Sequence, residues 1–193
     1  MRFAKFPESF PILISSTVLL RDVSAQDIPA WFARATDAES ADLAGDPIPS
    51  SIEAGRFWVQ SARDRFDSKR GLRWEIVPNG SLSSVGTVGL AVKSNNPLVA
   101  ELGFVIGRES WSQGIGTAAA RLVTAYGFSE LGLREIEAHV LERNPASIRV
   151  LLKLGFQRCG ILAPTEDEPE ELLIYRLGCE SAADSIFQAG DYG

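Results

Sequence analysis

Three extended runs joined by tight turns, followed by a glycine-bearing entry into a long helix, constrain this chain's architecture most. Leu72 to Val77 reads as the first strand and stops at Pro78-Asn79-Gly80, a strong turn signal. Val85 to Val92 is the second, ended by Asn95-Asn96-Pro97, and Val99 to Ile106 is the third, closed by Gly107. Connections this short join antiparallel neighbours, because a parallel crossover needs about a dozen residues or more. The segment therefore predicts an antiparallel meander.

The flanks extend this pattern. Val18 to Val23 reads as an earlier strand, and Ser24 with Asp27 supports the first turn of a short helix through Trp31 and Phe32. Ala44 to Ser50 is a loop by composition, and Ser50 or Ser51 caps a second helix with Ile52, Phe57, Val59, Ala62 and Phe66 on a loose apolar face. After the meander, a long helix is expected over 114–130, with Tyr126 in the core. Arg134 to Leu141 is a strand. Asn144-Pro145 then opens a helix, since Asn accepts at an N-cap and Pro fits the first helical position, and Gly155 stops it. Phe156 to Leu162 and Glu170 to Leu177 are two last strands around an acidic turn. A strand–helix–strand run inside a mostly antiparallel sheet gives a mixed α/β layer fold. One domain over residues 1–177 and a C-terminal tail over 178–193 are expected, because no linker interrupts the pattern.

Composition narrows the classes. With 193 residues, 45% hydrophobic, 23% charged and a net charge of −6, the chain is globular and offers no basic stripe for nucleic acid. No apolar run approaches the roughly 18 residues needed to span a bilayer, and Pro7, Glu8 and Pro11 break any export signal, so a cytoplasmic location is expected. Cys159, Cys179 and His139 lack metal-ligand spacing, so no metal is expected.

Gly114-Ile115-Gly116 sits between a strand and a helix, where bare backbone N–H groups beside a positive helix end favour an anion. A flexible turn explains the same residues. So does a dinucleotide fingerprint, because Gly114 to Ala119 satisfies G-x-G-x-x-A and Glu135 or Glu137 follows about 20 residues on. Against the dinucleotide, seven residues separate Ile106 from Gly114, and the preceding meander supplies no repeated βαβ units. A P-loop lacks its Gly-Lys-Ser/Thr.

Four segments carry a family resemblance. Glu101-Leu102-Gly103-Phe104-Val105-Ile106 and Trp111-Ser112-Gln113-Gly114-Ile115-Gly116-Thr117-Ala118 resemble the strand and pyrophosphate loop of the GNAT superfamily of N-acetyltransferases. Gly132 to Ala138 and Asn144 to Phe156 look like its RimJ/RimL-type branch, which contains the ribosomal-protein N-terminal acetyltransferases. Trp111 stands where the superfamily usually has Arg or Gln. The resemblance implies a GNAT-like acyl-CoA N-acyltransferase fold, with a mostly antiparallel seven-stranded sheet flanked by helices. It implies acetyl-CoA as co-substrate and direct attack by an amine in a ternary complex, by a monomer or a homodimer. The expected cofactor contacts are Phe104, Val105 and Ile106 on the strand, then Ser112, Gln113, Gly114, Ile115, Gly116 and Thr117, and Asn144. Glu101 is the implied base, and Ser147 the implied proton donor to the leaving thiolate. Read without the resemblance, Glu101 is an exposed strand residue, Asn144 an N-cap and Ser147 a first-turn serine.

A protein N-terminal α-amine is the leading acceptor, since its pKa of roughly 7.7–8.0 asks less of a carboxylate base than a lysine near 10.4. A small amine such as a polyamine, amino acid or antibiotic is the rival acceptor. From other classes, a dinucleotide-dependent oxidoreductase and a non-catalytic acyl-CoA-binding module stay open. His139 should share a strand face with Glu137 and Leu141, either structurally or beside the acceptor. Glu166 to Glu171 reads as a solvated hairpin loop that also suits a cationic substrate, and Trp31 and Trp58 should pack the helices roofing the acceptor cleft.

Overall fold

The computed structural model describes residues 5–165 and 169–179. Glu166, Asp167 and Glu168 of the acidic turn, and 180–193 of the expected tail, lie outside the described residues. The strands are β1 (Leu13–Ile14), β2 (Val18–Asp22), β3 (Gly71–Pro78), β4 (Gly86–Lys93), β5 (Asn96–Ile106), β6 (Glu135–Leu141), β7 (Gln157–Leu162) and β8 (Leu172–Gly178). The helices are α1 (Ile28–Ala35), α2 (Ala38–Ala44), α3 (Ala54–Asp67), α4 (Ile115–Ser129) and α5 (Pro145–Lys153). The strands form one eight-stranded sheet in the order β1-β2-β3-β4-β5-β6-β8-β7, parallel at β5–β6 and antiparallel elsewhere. Seven strands were expected; the eighth is the two-residue β1, too short to show an alternation.

The sheet's two faces differ in chemistry. On one, Leu72, Trp74, Ile76, Val88, Leu90, Ala100 and Leu102 pack against Ala119, Ala120 and Val123 of α4, forming the main core. Trp74 is fully buried, its indole N–H donating 2.8 Å to Pro11 O and its ring meeting Tyr126 edge-on. The opposite face is mostly polar, small or bare. Across β3, β4 and β5 it carries the rows Gly71–Ala91–Glu101, Arg73–Gly89–Gly103 and Glu75–Thr87–Val105. Gly89 is required there, because a Cβ would stand 2.6 Å from Leu72 O.

Helices α1 to α3 roof this second face. Val59 and Ala62 of α3 join Val23, Ile28 and Trp58 in a smaller cluster, and Trp31 stacks on Trp58 at 5.4 Å. Phe57 departs from the expected apolar face and is 82% exposed. The short helix α2 falls where no element was read, although Asp37 accepts from Ser40 N–H at 2.8 Å and Gly45 ends it at φ 70°. Among the described residues no helix is long and apolar enough to cross a membrane.

Candidate active site

The parallel pairing of β5 with β6 runs only from Val99–Glu135 to Glu101–Glu137. Beyond that rung β5 continues on β4 to Ile106, while β6 continues on β8 to Leu141. The two strands separate, and the sheet forks at Glu101. The backbone alternation decides which groups line the fork. Gly107 N–H donates to Val85 O on the β4 side and Arg134 N–H donates to Leu98 O on the β6 side. Odd-numbered residues of β5 thus address β4, and even-numbered ones address β6. Phe104 and Ile106 turn their backbone groups into the open edge, whereas Val105 spends its own on β4 and offers its side chain to the roofed face.

The loop after β5 is held by its side chains. The Trp111 indole donates to Ile106 O at 2.6 Å, and Gln113 Nε2 donates to Glu109 O at 2.8 Å. Trp111 therefore has a fastening role in place of the usual Arg or Gln, and the Gln113 carboxamide is partly committed. Ser112 adopts φ 61° and Gly114 φ 78°, which turns the chain sharply into α4. The first hydrogen bond of α4 is Ala118 N–H to Gly114 O, so the amides of Ile115, Gly116 and Thr117 have no acceptor within the helix. Gly116 brings the turn close to its neighbours, since a Cβ there would stand 3.4 Å from Ile106 and 4.0 Å from Val150. A positive helix end with free donors beside an open strand edge suits a phosphate attached to an extended chain.

Glu101, 41% exposed, rises from the last paired rung on the roofed face. His139 stands beside it, Nδ1 3.6 Å from Glu101 Oε1 and Nε2 3.6 Å from Glu137 Oε2. The Nε2 atom is buried and makes no hydrogen bond. Glu137 anchors the group, taking Lys93 Nζ at 2.6 Å and Arg176 Nη2 at 2.8 Å. Burial pushes the Glu137 carboxyl up, but the Lys93 hydrogen bond and charge, with Arg176 and His139, outweigh it and hold the acid below its ordinary range. Glu137 is thus a fixed anion, while Glu101 keeps access to solvent. The face shared by His139 and Glu137 follows the sequence expectation; the approach of His139 to Glu101 depends on the β5–β6 register.

Asn144 and Ser147 start α5 on the opposite face, against α4. Asn144 Oδ1 accepts from Ser147 N–H at 3.0 Å, and its Nδ2 donates to Leu43 O at 3.0 Å, so the side chain caps α5 and ties it to α2. Ser147 lies one turn before Val150 on the same side of the helix, the side that faces Gly116. The strand, the loop, α4 and α5 are thereby brought to one gap.

Helix α2 spans the mouth of the fork. At its start Arg108, just past β5, pairs with Asp37 and Glu39; at its end Arg143, just past β6, pairs with Asp42 at 2.5 Å and Glu170 at 2.6 Å. Neither arginine was read as functional from sequence, because its partners lie far along the chain.

Residues 17–157 match the acetyltransferase (GNAT) domain family. The chain belongs to the GNAT acetyltransferases. It is 37% identical over 153 residues to the uncharacterized N-acetyltransferase YoaA of Bacillus subtilis, covering 79% of this chain and 86% of that one. It is 26% identical over 156 residues to the human alpha/beta-tubulin-N-acetyltransferase 9, covering 76% and 75%. The fold is that of Mycobacterium smegmatis RimJ, solved in complex with CoA-disulfide, with a TM-score of 0.77 at 24% identity over 98% of both chains. As a GNAT enzyme the protein is an acetyl-CoA-dependent N-acetyltransferase, which removes the dinucleotide reading of Gly114 to Ala119. The residues present suit that co-substrate: orphan amides at the start of α4 for a pyrophosphate, and the unpaired β5 edge for an extended amide-bearing arm. Among the described residues no cluster of three or more His, Cys, Asp or Glu could hold a metal.

Proposed function

We propose that this enzyme acetylates the α-amine of a protein N-terminus by direct attack in a ternary complex. The observation that carries the reading is the fork at Glu101, where a solvent-accessible carboxylate on the roofed face adjoins an open strand edge leading to α4. Acetyl-CoA supplies an acyl thioester. Phe104 and Ile106 N–H groups are the donors available to its carbonyl oxygen, and the amides of 113–117 hold the pyrophosphate. Glu101, directly or through water, takes one proton from the acceptor ammonium to free the attacking amine. The nitrogen's second proton leaves by the same route once the C–N bond has formed, and His139 Nδ1 is placed to stabilise or pass on these protons. As the new C–N bond replaces the C–S bond, the Ser147 hydroxyl gives a proton to the departing sulfur and is itself reprotonated from solvent.

The α-amine is favoured because a half-exposed carboxylate suffices for a group of pKa roughly 7.7–8.0. The protein acceptor named for the tubulin N-acetyltransferase relative is consistent with this choice. The exposed free thiols of Cys159 and Cys179 suit a reducing compartment, and we place the enzyme in the cytoplasm. Thiol release measured over a panel of peptides with free N-termini, their lysine-only counterparts and small amines tests the reading. Turnover of N-terminal peptides above the others is expected; turnover confined to polyamines or lysine side chains overturns it.

A further inference from the structure

The roofed face holds a cavity of about 280 Å³ between α1, α2, α3 and the sheet. The stacked Trp31 and Trp58 form one wall, and Arg65, Arg73, Thr87 and Val105 lie against it. Ser61 and Arg65 also line an adjoining groove that runs to Ala91, the register partner of Glu101. A path therefore leads along α3 from the fork into the cavity.

Its charges are unbalanced. Elsewhere on this face Arg21 is paired with Asp27 at 2.6 Å, and Arg34, which also lines the cavity, is paired with Glu75 at 3.2 Å. Arg65 and Arg73 have no carboxylate within 4.0 Å among the described residues; Arg73 has only a 3.4 Å contact from Nη1 to Thr87 Oγ1. Asp46 lines the same cavity and feels the Arg73 charge without coming within 4.0 Å of either guanidinium, so two guanidiniums share one carboxylate. In the outer groove Asp64 and Arg70 are both exposed and offset each other. Burial pushes the Arg73 guanidinium down, with the neighbouring Arg65 adding to the effect and the charges of Asp46 and Glu75 opposing it, while the Asp46 carboxyl is pushed up by burial against the pull of Arg73. An anion in this space would meet the two guanidiniums that lack a carboxylate within 4.0 Å.

Building on the acetyl-transfer reading above, we propose that Arg65 and Arg73 bind a carboxylate carried by the amine acceptor. The geometry gives its distance from the amine. Arg73 is two strands and two residues from Glu101, which places their Cα atoms roughly 12 Å apart at about 4.8 Å per strand and 3.3 Å per residue. Gly89 and Gly103 continue the row of Arg73 itself, and a Cβ on Gly103 would meet nothing within 4 Å, so between Arg73 and Glu101 the sheet presents only the small side chain of Ala91. One or two residues of extended peptide cover the remaining span. The acceptor is then a peptide with Asp or Glu at or next to its N-terminus, or a free amino acid presenting its own carboxylate.

The test compares kcat/KM for peptides beginning Ser-Glu, Ser-Gln, Glu-Ala and Gln-Ala, and for free glutamate and its diamide. The wild type is expected to prefer each acid over its amide by about tenfold, the size of one charge-assisted contact. Arg73→Gln and, separately, Arg65→Gln are expected to bring the ratio towards one, with Arg73→Lys restoring part of it; thermal midpoints confirm folding. Preference among the peptides assigns the carboxylate to a side chain, and preference confined to glutamate assigns it to a free amino acid. An acid-to-amide ratio of one in the wild type, or a ratio unchanged in both Gln variants, overturns the proposal. Binding of N-acetylated Ser-Glu and Ser-Gln peptides, followed by the fluorescence of Trp31 and Trp58, reads the site without turnover. Acid-selective binding with no thiol release would sink the acetyl-transfer reading alone.

Discussion

Glu101 sits on the last rung that joins β5 to β6, and His139 stands two residues past its partner Glu137, with Nδ1 3.6 Å from Glu101 Oε1. The histidine is 14% exposed and is flanked on its other nitrogen by Glu137, which two cations hold in place. On the proposed assignment, this arrangement puts the imidazole between the carboxylate on the open side and the fixed anion on the closed side, where it can take part in moving the acceptor's proton.

Glu101→Gln should lower kcat by about a hundredfold, in the range of lost general-base assistance, with little change in acetyl-CoA affinity. The deficit should narrow as pH rises through roughly 7.7–8.0, where the α-amine loses its proton unaided. His139→Gln should have a smaller effect, and the double variant should fall less than the product of the two. Steady-state kinetics across pH check this; full activity of Glu101→Gln at neutral pH would remove Glu101 as the base.

Ser147→Ala separates capping from chemistry. The cap is made by the Ser147 backbone N–H to Asn144 Oδ1, so alanine keeps it and stability should change by no more than about 0.5 kcal/mol. A fall in kcat that shrinks with thioesters of more acidic thiols would identify the hydroxyl as the proton donor. An unchanged kcat would leave Ser147 a first-turn residue only.

Gly114→Val should weaken acetyl-CoA binding through the backbone. A Cβ at Gly114 would meet nothing within 4 Å, so the difficulty lies in φ 78°. A β-branched residue loses roughly 1–2 kcal/mol there, and the loop relaxes away from the geometry that aims its amides. Gly114→Asn, which tolerates this region better, should bind more tightly than the valine variant by calorimetry.

Glu75 links folding to pH. It is fully buried beside Arg34, and burial pushes its carboxyl from the ordinary 4.5 up to about 7. The folded state thus holds this proton more tightly than the unfolded chain. Its contribution is largest below pH 4.5 and declines as pH rises to about 7. Glu75→Gln should flatten that part of the stability profile, whatever the cost of leaving Arg34 with a weaker partner. Denaturant midpoints between pH 4.5 and 8 provide the comparison.

Much of the frame was legible because its signals are local. The turn signals between β3, β4 and β5, the Asn144-Pro145 start and the Gly155 stop of α5 each sit within a few residues. Helix α2 was missed although Asp37, Ser40 and Gly45 give a cap and a stop, because seven residues show too little apolar period to draw notice. The fork was not legible at all. Nothing in Leu102 to Ile106 says that β6 turns away after Glu101, and partners 36 residues apart such as Glu101 and Glu137 meet only through the register. Arg65 and Arg73 were overlooked for the same reason: their lack of a counter-charge is a property of the packed face.

The division of the sheet has a kinetic consequence. On the proposed assignment, the co-substrate occupies the side of α4 and α5, while the acceptor approaches beneath α1 to α3. Neither reactant has to vacate the other's route, and no side chain is called on to store the acyl group between two half-reactions. Initial-rate plots against either reactant should therefore give intersecting lines instead of parallel ones, and isotope exchange between CoA and acetyl-CoA should not occur until an amine is added.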